Sequence, residues 1–222
     1  DKVHMIPNKN YYEYCASDGE LPEPPAQDDT LRTGLYLVMK KSLQENSLDT
    51  LIDNAYQDDA PLMEDLIAYM IQTEDDAMQY FPDYGQEHLL FSSQIHSDSD
   101  ITEMFKRQTK QQHEFFLTNW NELHNTAENI YISYDSTNMN TRAEGIELAE
   151  YGPAKDDDTI PDVNFGLAYN QDDGVPYFFE LYHGSVIDNT QCSFMVDRAK
   201  NYGYHCVGFI LDRGYFSAHN IK

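Results

Sequence analysis

CVGFILD, residues 206–212, is the stretch on which the fold turns. Its apolar run is far shorter than a helix needs to bury a face, and it ends on an acid, so it reads as a buried strand closing at Asp212. Upstream, in IYISYD (residues 130–135), Ile130, Ile132 and Tyr134 alternate with Tyr131, Ser133 and Asp135, the period of a strand with one buried face. It too closes on an aspartate. Between the two lie VNFGLAYN (163–170) and VPYFFELY (175–182), β-rich runs flanking the turn sequence QDDG, which together predict a hairpin. Residues 189–202 carry Phe194, Met195, Val196 and Ala199 at helical spacing, and Gly203 is placed to end that helix. From residue 129 onward the order is therefore strand, hairpin, helix, strand, with a turn or helix start in GYFSAHNIK. A strand–helix–strand step favours a right-handed crossover and parallel neighbours. One available pairing sets the end of the 131–135 strand beside the end of the 206–212 strand.

Working back toward the start, residues 29–128 read as helices. Asp29–Thr30 is placed to cap a helix carrying Leu31, Leu35, Val38, Met39 and Leu43. Ser47 is placed to cap the next, with Leu48, Leu51, Ile52 and Ala55, and Pro61 fits the first turn of a third. Asp98, Ser99 or Asp100 heads a helix with Ile101, Met104 and Phe105, and Phe115, Phe116 and Trp120 read as the core of this half. Residues 1–28 read as a small extended element (Val3, Met5, Tyr11, Tyr12, Tyr14) and the acidic, proline-rich linker DGELPEPPAQDD. The expected division is thus 1–28, 29–128 and 129–222. The opening Asp1 suggests a trimmed chain.

Composition narrows the function classes. With 41% hydrophobic residues in 222, a sizeable core is expected. The three cysteines are scattered without CxxC spacing and the eight histidines show no HxH or HxxxH, which argues for reduced thiols in a cytoplasm and against structural zinc. A net charge of −25 counts against a simple DNA-binding module, because phosphate contacts need Lys and Arg. Residues 131–222 alone hold 6 basic and 14 acidic groups.

Asp135 and Asp212 are the candidate site. A charge at the end of an apolar strand is costly when buried unpaired, and a divalent cation offsets that cost. Two carboxylates on neighbouring strands suit Mg²⁺, which takes few protein oxygens beside phosphate and water. An Asp at a strand end is also an ordinary turn former or helix cap, so pattern alone leaves both readings open. Glu144, Glu147 and Glu150 form an acidic run that reads as a solvated face or a stray ligand.

The text around the two aspartates goes further. YDSTN at 134–138, GIELAEYGPAKDD at 145–157, GVPYFFELYHGSVID at 174–188 and FILDRGYFSAHNI at 209–221 resemble, in order and spacing, the DDE transposases of bacterial insertion sequences. The resemblance implies an α+β or α/β fold: a helical N-terminal region serving end-binding or assembly, then a partial ribonuclease H-like mixed β-sheet core with flanking helices. It implies Asp135 and Asp212 as the first two catalytic metal ligands for Mg²⁺ or Mn²⁺, with two ions in the active complex. The third, a Glu in a Tyr/Arg/Glu/Lys signature, is not found here and would lie beyond Lys222, so these residues alone are expected to be inactive. Lys155 and Arg213 become candidate DNA contacts; a solvated lysine and a scaffold ion pair are the plainer alternatives. Thr137 and Asp188 become candidates for supporting the ligands, with turn or helix capping as the alternative. The implied partners are element-end and target DNA and a second copy in a homodimer, in a bacterial cytoplasm at the nucleoid. Against the family pattern, the run Asp156–Asp157–Asp158 to Asp162 adds acids that repel phosphate.

Overall fold

The computed structural model describes residues 30–124, 130–153, 157–204, 207–212 and 215, with Asp188, Asn189, Thr190, Cys192 and Val207 described in backbone only. The extended element expected at 1–28 lies outside them, as do Lys155 and Arg213. The chain is a mixed α+β protein: helices first, then a four-stranded sheet.

Helices α1 (Gly34–Glu45), α2 (Leu48–Tyr56), α3 (Ala60–Thr73), α4 (Phe81–Glu87) and α5 (Asp98–Arg107) bury two small cores. One gathers Leu43, Ile52 and Ala60, the other Leu62, Leu66, Tyr69, Phe81, Ile101 and Met104. The first helix starts later than its pattern suggests. Arg32 is held by backbone bonds to Glu87 and Leu89, so this segment pairs with the end of α4 instead of coiling. Met39 and Leu43 are buried, whereas Val38 points to solvent. Ser47 makes no capping bond; it sits in the left-handed region as the link between α1 and α2. Pro61 does stand in the first turn of α3. The cap of α5 is Ser97, whose side chain accepts from Asp100 N while the Asp100 carboxylate accepts from Ser97 N, a reciprocal capping box.

Helix α6 (Lys110–His124) packs on one side against α2 and on the other against the sheet. Trp120 Nε1 donates to Pro176 O at 2.6 Å, and Asn121 Nδ2 donates to Tyr177 O at 2.9 Å. Tyr204 OH closes the tie by donating to Asn121 Oδ1 at 2.6 Å. Trp120 therefore belongs to the sheet's core, not to the helical one. Phe115 is largely exposed, and Phe116 packs against both cores and joins them.

The sheet has the order β3-β2-β1-β4. Strands β1 (Ile130–Asn140), β2 (Asp162–Asn170) and β3 (Pro176–His183) form an antiparallel meander, and β4 (Val207–Leu211) returns parallel to β1 after helix α7 (Asp188–Asn201). Ile132, Tyr134, Ala168 and Phe178 face α6 and α7 and are buried with Met195, Ala199 and Tyr204. Burying side chains of this size contributes roughly 1.5–3 kcal/mol each. Two sequence expectations shift here. Strand β1 does not end at Asp135; it runs on to Asn140, because Ser136 is buried and pairs with Gly166 and the alternation continues. Asp188 is the first residue of α7, with Ile187 at the N-cap. No helix among the described residues is long and apolar enough to cross a membrane.

Candidate active site

The β1–β4 register decides the geometry. Ile130 pairs with Val207, Ile132 with Phe209 and Tyr134 with Leu211, all in parallel. Asp135 follows Tyr134 within β1, and Asp212 follows Leu211 just past the end of β4. Paired residues of parallel strands point to the same side. Phe209 and Leu211 pack on the covered core with Ile132 and Tyr134. Strict alternation then sends Asp135 and Asp212 to the opposite, open face, and both are exposed. Two acids 77 positions apart in the chain thus each follow one member of the last paired residues, Tyr134 and Leu211.

Two glycines make room for rings on the neighbouring strand. A side chain at Gly208 would enter the ring of Tyr131, and one at Gly166 would enter the phenol of Tyr134. Asp135 Oδ1 accepts from Ser136 N at 2.9 Å, and Asp212 O accepts from Tyr215 N at 3.1 Å. Thr137 lies two residues along β1 on the same face as Asp135, exposed and in the strand, so a turn-capping role does not apply to it. Ser136 points the other way, into the core, where Tyr215 OH donates to its Oγ at 2.6 Å.

On the covered side of β3, a charge cluster ties helices to sheet. Arg198 of α7 bonds Glu114 of α6 at 2.9 Å and lies 3.6 Å from Glu180 of β3, which also accepts from Gln191. Burial pushes the Glu180 carboxyl up, against the opposing pull of Gln191 and Arg198. At the far end of the sheet, Glu150 pairs in backbone with Asp162, and its carboxylate sits 3.2 Å from His183 Nδ1 and accepts from Ser185. That resolves part of the acidic run: Glu150 is a strut between a loop and β3. Asp162 is the anomaly. It is 0% exposed, and neither carboxylate oxygen has a hydrogen-bond partner.

The donor set fits a divalent cation of the hard, oxygen-seeking kind. Asp135 and Asp212 each offer an exposed carboxylate, and the described stretches around them, from Tyr131 to Met139, Val163 to Tyr169 and Gly208 to Asp212, include no Lys or Arg to balance them. Among the described residues no cluster of three or more His, Cys, Asp or Glu could hold a metal. Two carboxylates with water and phosphate completing the shell are what Mg²⁺ accepts.

The chain matches no family model, no curated protein and no solved structure. The functional reading therefore stands on the residues and their geometry. The sequence picked out both acids. It missed Tyr215 and the Glu180–Arg198–Glu114 cluster, whose only sequence signal is the position of Tyr215 three residues after Asp212. The side chain of Asp188 lies outside what is described.

Proposed function

We propose that this chain carries the first two acids of a DDE-type transposase core, on a ribonuclease H-like sheet, for metal-dependent cleavage and joining of DNA at insertion-sequence ends. The observation that carries the reading is that β1 and β4 run parallel and paired up to Tyr134 and Leu211, and that the residue after each, Asp135 and Asp212, is exposed. The four sequence blocks that resemble the family support it by where their described residues fall: on β1, before β2, across β3 to α7, and along β4 to Asp212.

In this reading Asp135 and Asp212 would be the residues that hold Mg²⁺ or Mn²⁺. The chemistry such ions supply when bound is activation of a water or 3′-hydroxyl and stabilisation of the leaving oxygen in phosphoryl transfer. The protein's part is to present the two carboxylates from neighbouring parallel strands. The open face beside them gives a phosphodiester room to approach. DNA and a second copy of the chain are the partners the reading requires.

A second reading is favoured by charge: a scaffold that keeps this fold without the chemistry. The net −25 and the lack of Lys or Arg on the described residues of the acid-bearing face disfavour a polyanion. Titration with Mn²⁺ separates the two. Saturable binding that Asp135→Asn abolishes supports the enzyme, and its absence in the unaltered chain supports the scaffold. Cleavage without joining of element-end DNA would replace transposition by a nuclease activity.

A further inference from the structure

Strand β3 is an outer strand of the sheet. One side of it pairs with β2, and among the described residues no strand lies on the other. Such an edge offers a row of backbone N–H and C=O groups on which a further extended chain can pair. An open hollow of ≈ 720 Å³ borders this strand, and residues Phe179 to His183 line it without a gap. Successive residues of a strand point to opposite faces, so five in a row border one hollow only where it follows the strand's edge. The far wall comes from the first turn of α6 and from α7.

The lining differs from the rest of the molecule in two ways. Apolar surface lies bare on it: Phe194 is 59% exposed and Leu181 48%. Phe179 between strand and helix is already fixed, stacked on Phe165 at 5.7 Å and edge-on to His113 at 5.1 Å. Acids are also scarce. Of the chain's 39 acidic residues only Glu180 is among the described lining, beside Lys110, Arg198 and two histidines. Glu180 is engaged, since it accepts from Gln191 and lies 3.6 Å from Arg198 Nε. Lys110 is exposed and its ammonium has no ion-pair partner among the described residues. It opens α6, so the positive end of that helix dipole lies beside it. A short segment carrying an acid complements this edge. A second whole copy here would bring a net charge of −25 against its equal.

We propose that the outer edge of β3 is a docking site for an extended peptide of a partner protein, which adds as a further strand, sets apolar side chains against Leu181, Phe179 and Phe194, and brings an Asp or Glu to Lys110. Backbone pairing supplies affinity in this mode, and the side-chain contacts supply selectivity. The site is independent of the metal reading, because β3 and β4 are opposite ends of the strand order.

The test selects a phage-displayed library of random octapeptides on the whole chain. Enriched peptides are then synthesised with a fluorescein label and titrated by fluorescence polarisation. The proteins are the unaltered chain, Leu181→Asp, Phe194→Ser, Lys110→Glu and Asp135→Asn, with thermal unfolding in parallel. The first three positions are exposed, so the fold is expected to persist. If Leu181→Asp nevertheless unfolds, the two helix variants decide. Enriched peptides should alternate apolar and polar residues and carry an acid. Each of the three edge variants should bind about tenfold more weakly, as for anchors at the centre of an interface, and Asp135→Asn should bind unchanged. N-methylation of every second peptide nitrogen should abolish binding in one phase and spare it in the other, because only alternate amides face β3. Failure to enrich any peptide overturns the proposal. So does binding that any folded edge variant leaves unchanged, or equal tolerance of both methylation phases. A dimer of the chain alone that Leu181→Asp dissociates would overturn it too, by assigning the edge to a second copy.

Discussion

The two faces of the sheet are built from alternate residues of the same strands, yet they carry opposite characters. On the covered face, Ile132, Tyr134, Ala168 and Phe178 are sealed under α6 and α7. On the open face, Tyr131, Met139, Leu181 and Ile210 remain about half exposed around Asp135 and Asp212. The contrast shows how a strand divides its labour. One set of side chains supplies the burial that stabilises the sheet, and the other is left free to hold charge at a cost water can screen. Acids on the covered side need partners, as Glu180 has; acids on the open side need none to fold.

The sharpest way to break that contrast is to truncate one residue on each face. Phe178→Ala should destabilise by about 4 kcal/mol in urea unfolding, because it leaves a cavity beneath two helices. Ile210→Ala on the open face should change stability by less than about 1 kcal/mol. Equal losses would mean that the open face is covered in solution. Asp162 tests the same rule for charge. It is a carboxylate with no exposure and no partner, so Asp162→Asn should stabilise by about 2 kcal/mol, read as a higher urea midpoint. A destabilised variant would reveal a partner for that carboxylate in solution.

Glu64 extends the comparison to the helical region. Burial first, then the nearby Asp53, Asp49 and Asp65, raise its carboxyl from 4.5 to about 7, with Lys40 opposing. A folded value above the unfolded one means that its contribution is fully present below about pH 4.5 and is lost as pH rises through about 7. Glu64→Gln should therefore unfold like the parent below pH 4.5 and be more stable by about 2 kcal/mol at pH 8. A pH-independent difference would contradict this. The smallest effect is expected at the site: without metal, Asp135→Asn should raise stability by no more than about 0.5 kcal/mol, since two exposed carboxylates repel weakly in water. Thermal unfolding with and without Mn²⁺ checks it.

Much of this was legible in the chain itself. The hairpin around QDDG, the helix before Gly203 and the strand ending at Leu211 all stand where local pattern puts them, because period-2 and period-3.6 burial are local signals. The start of α1 was not legible, since Arg32 pairs with a segment more than fifty residues away. Nor was the length of β1. Ser136, Asn138 and Asn140 look like a turn in one dimension and become strand only because β2 lies alongside. Trp120 reads as helical core and instead hydrogen-bonds the sheet.

By itself, the order of residues determined which segments alternate, which are amphipathic, and that two apolar strands each lead into an aspartate. Those properties depend on neighbours a few positions away. The tertiary structure alone decided that β4 returns parallel to β1, pairing Tyr134 with Leu211 just before the two aspartates, and that Tyr215 reaches Ser136. Register between distant strands is set by how whole faces pack against α6 and α7, and a slip of one residue would have sent one acid into the core.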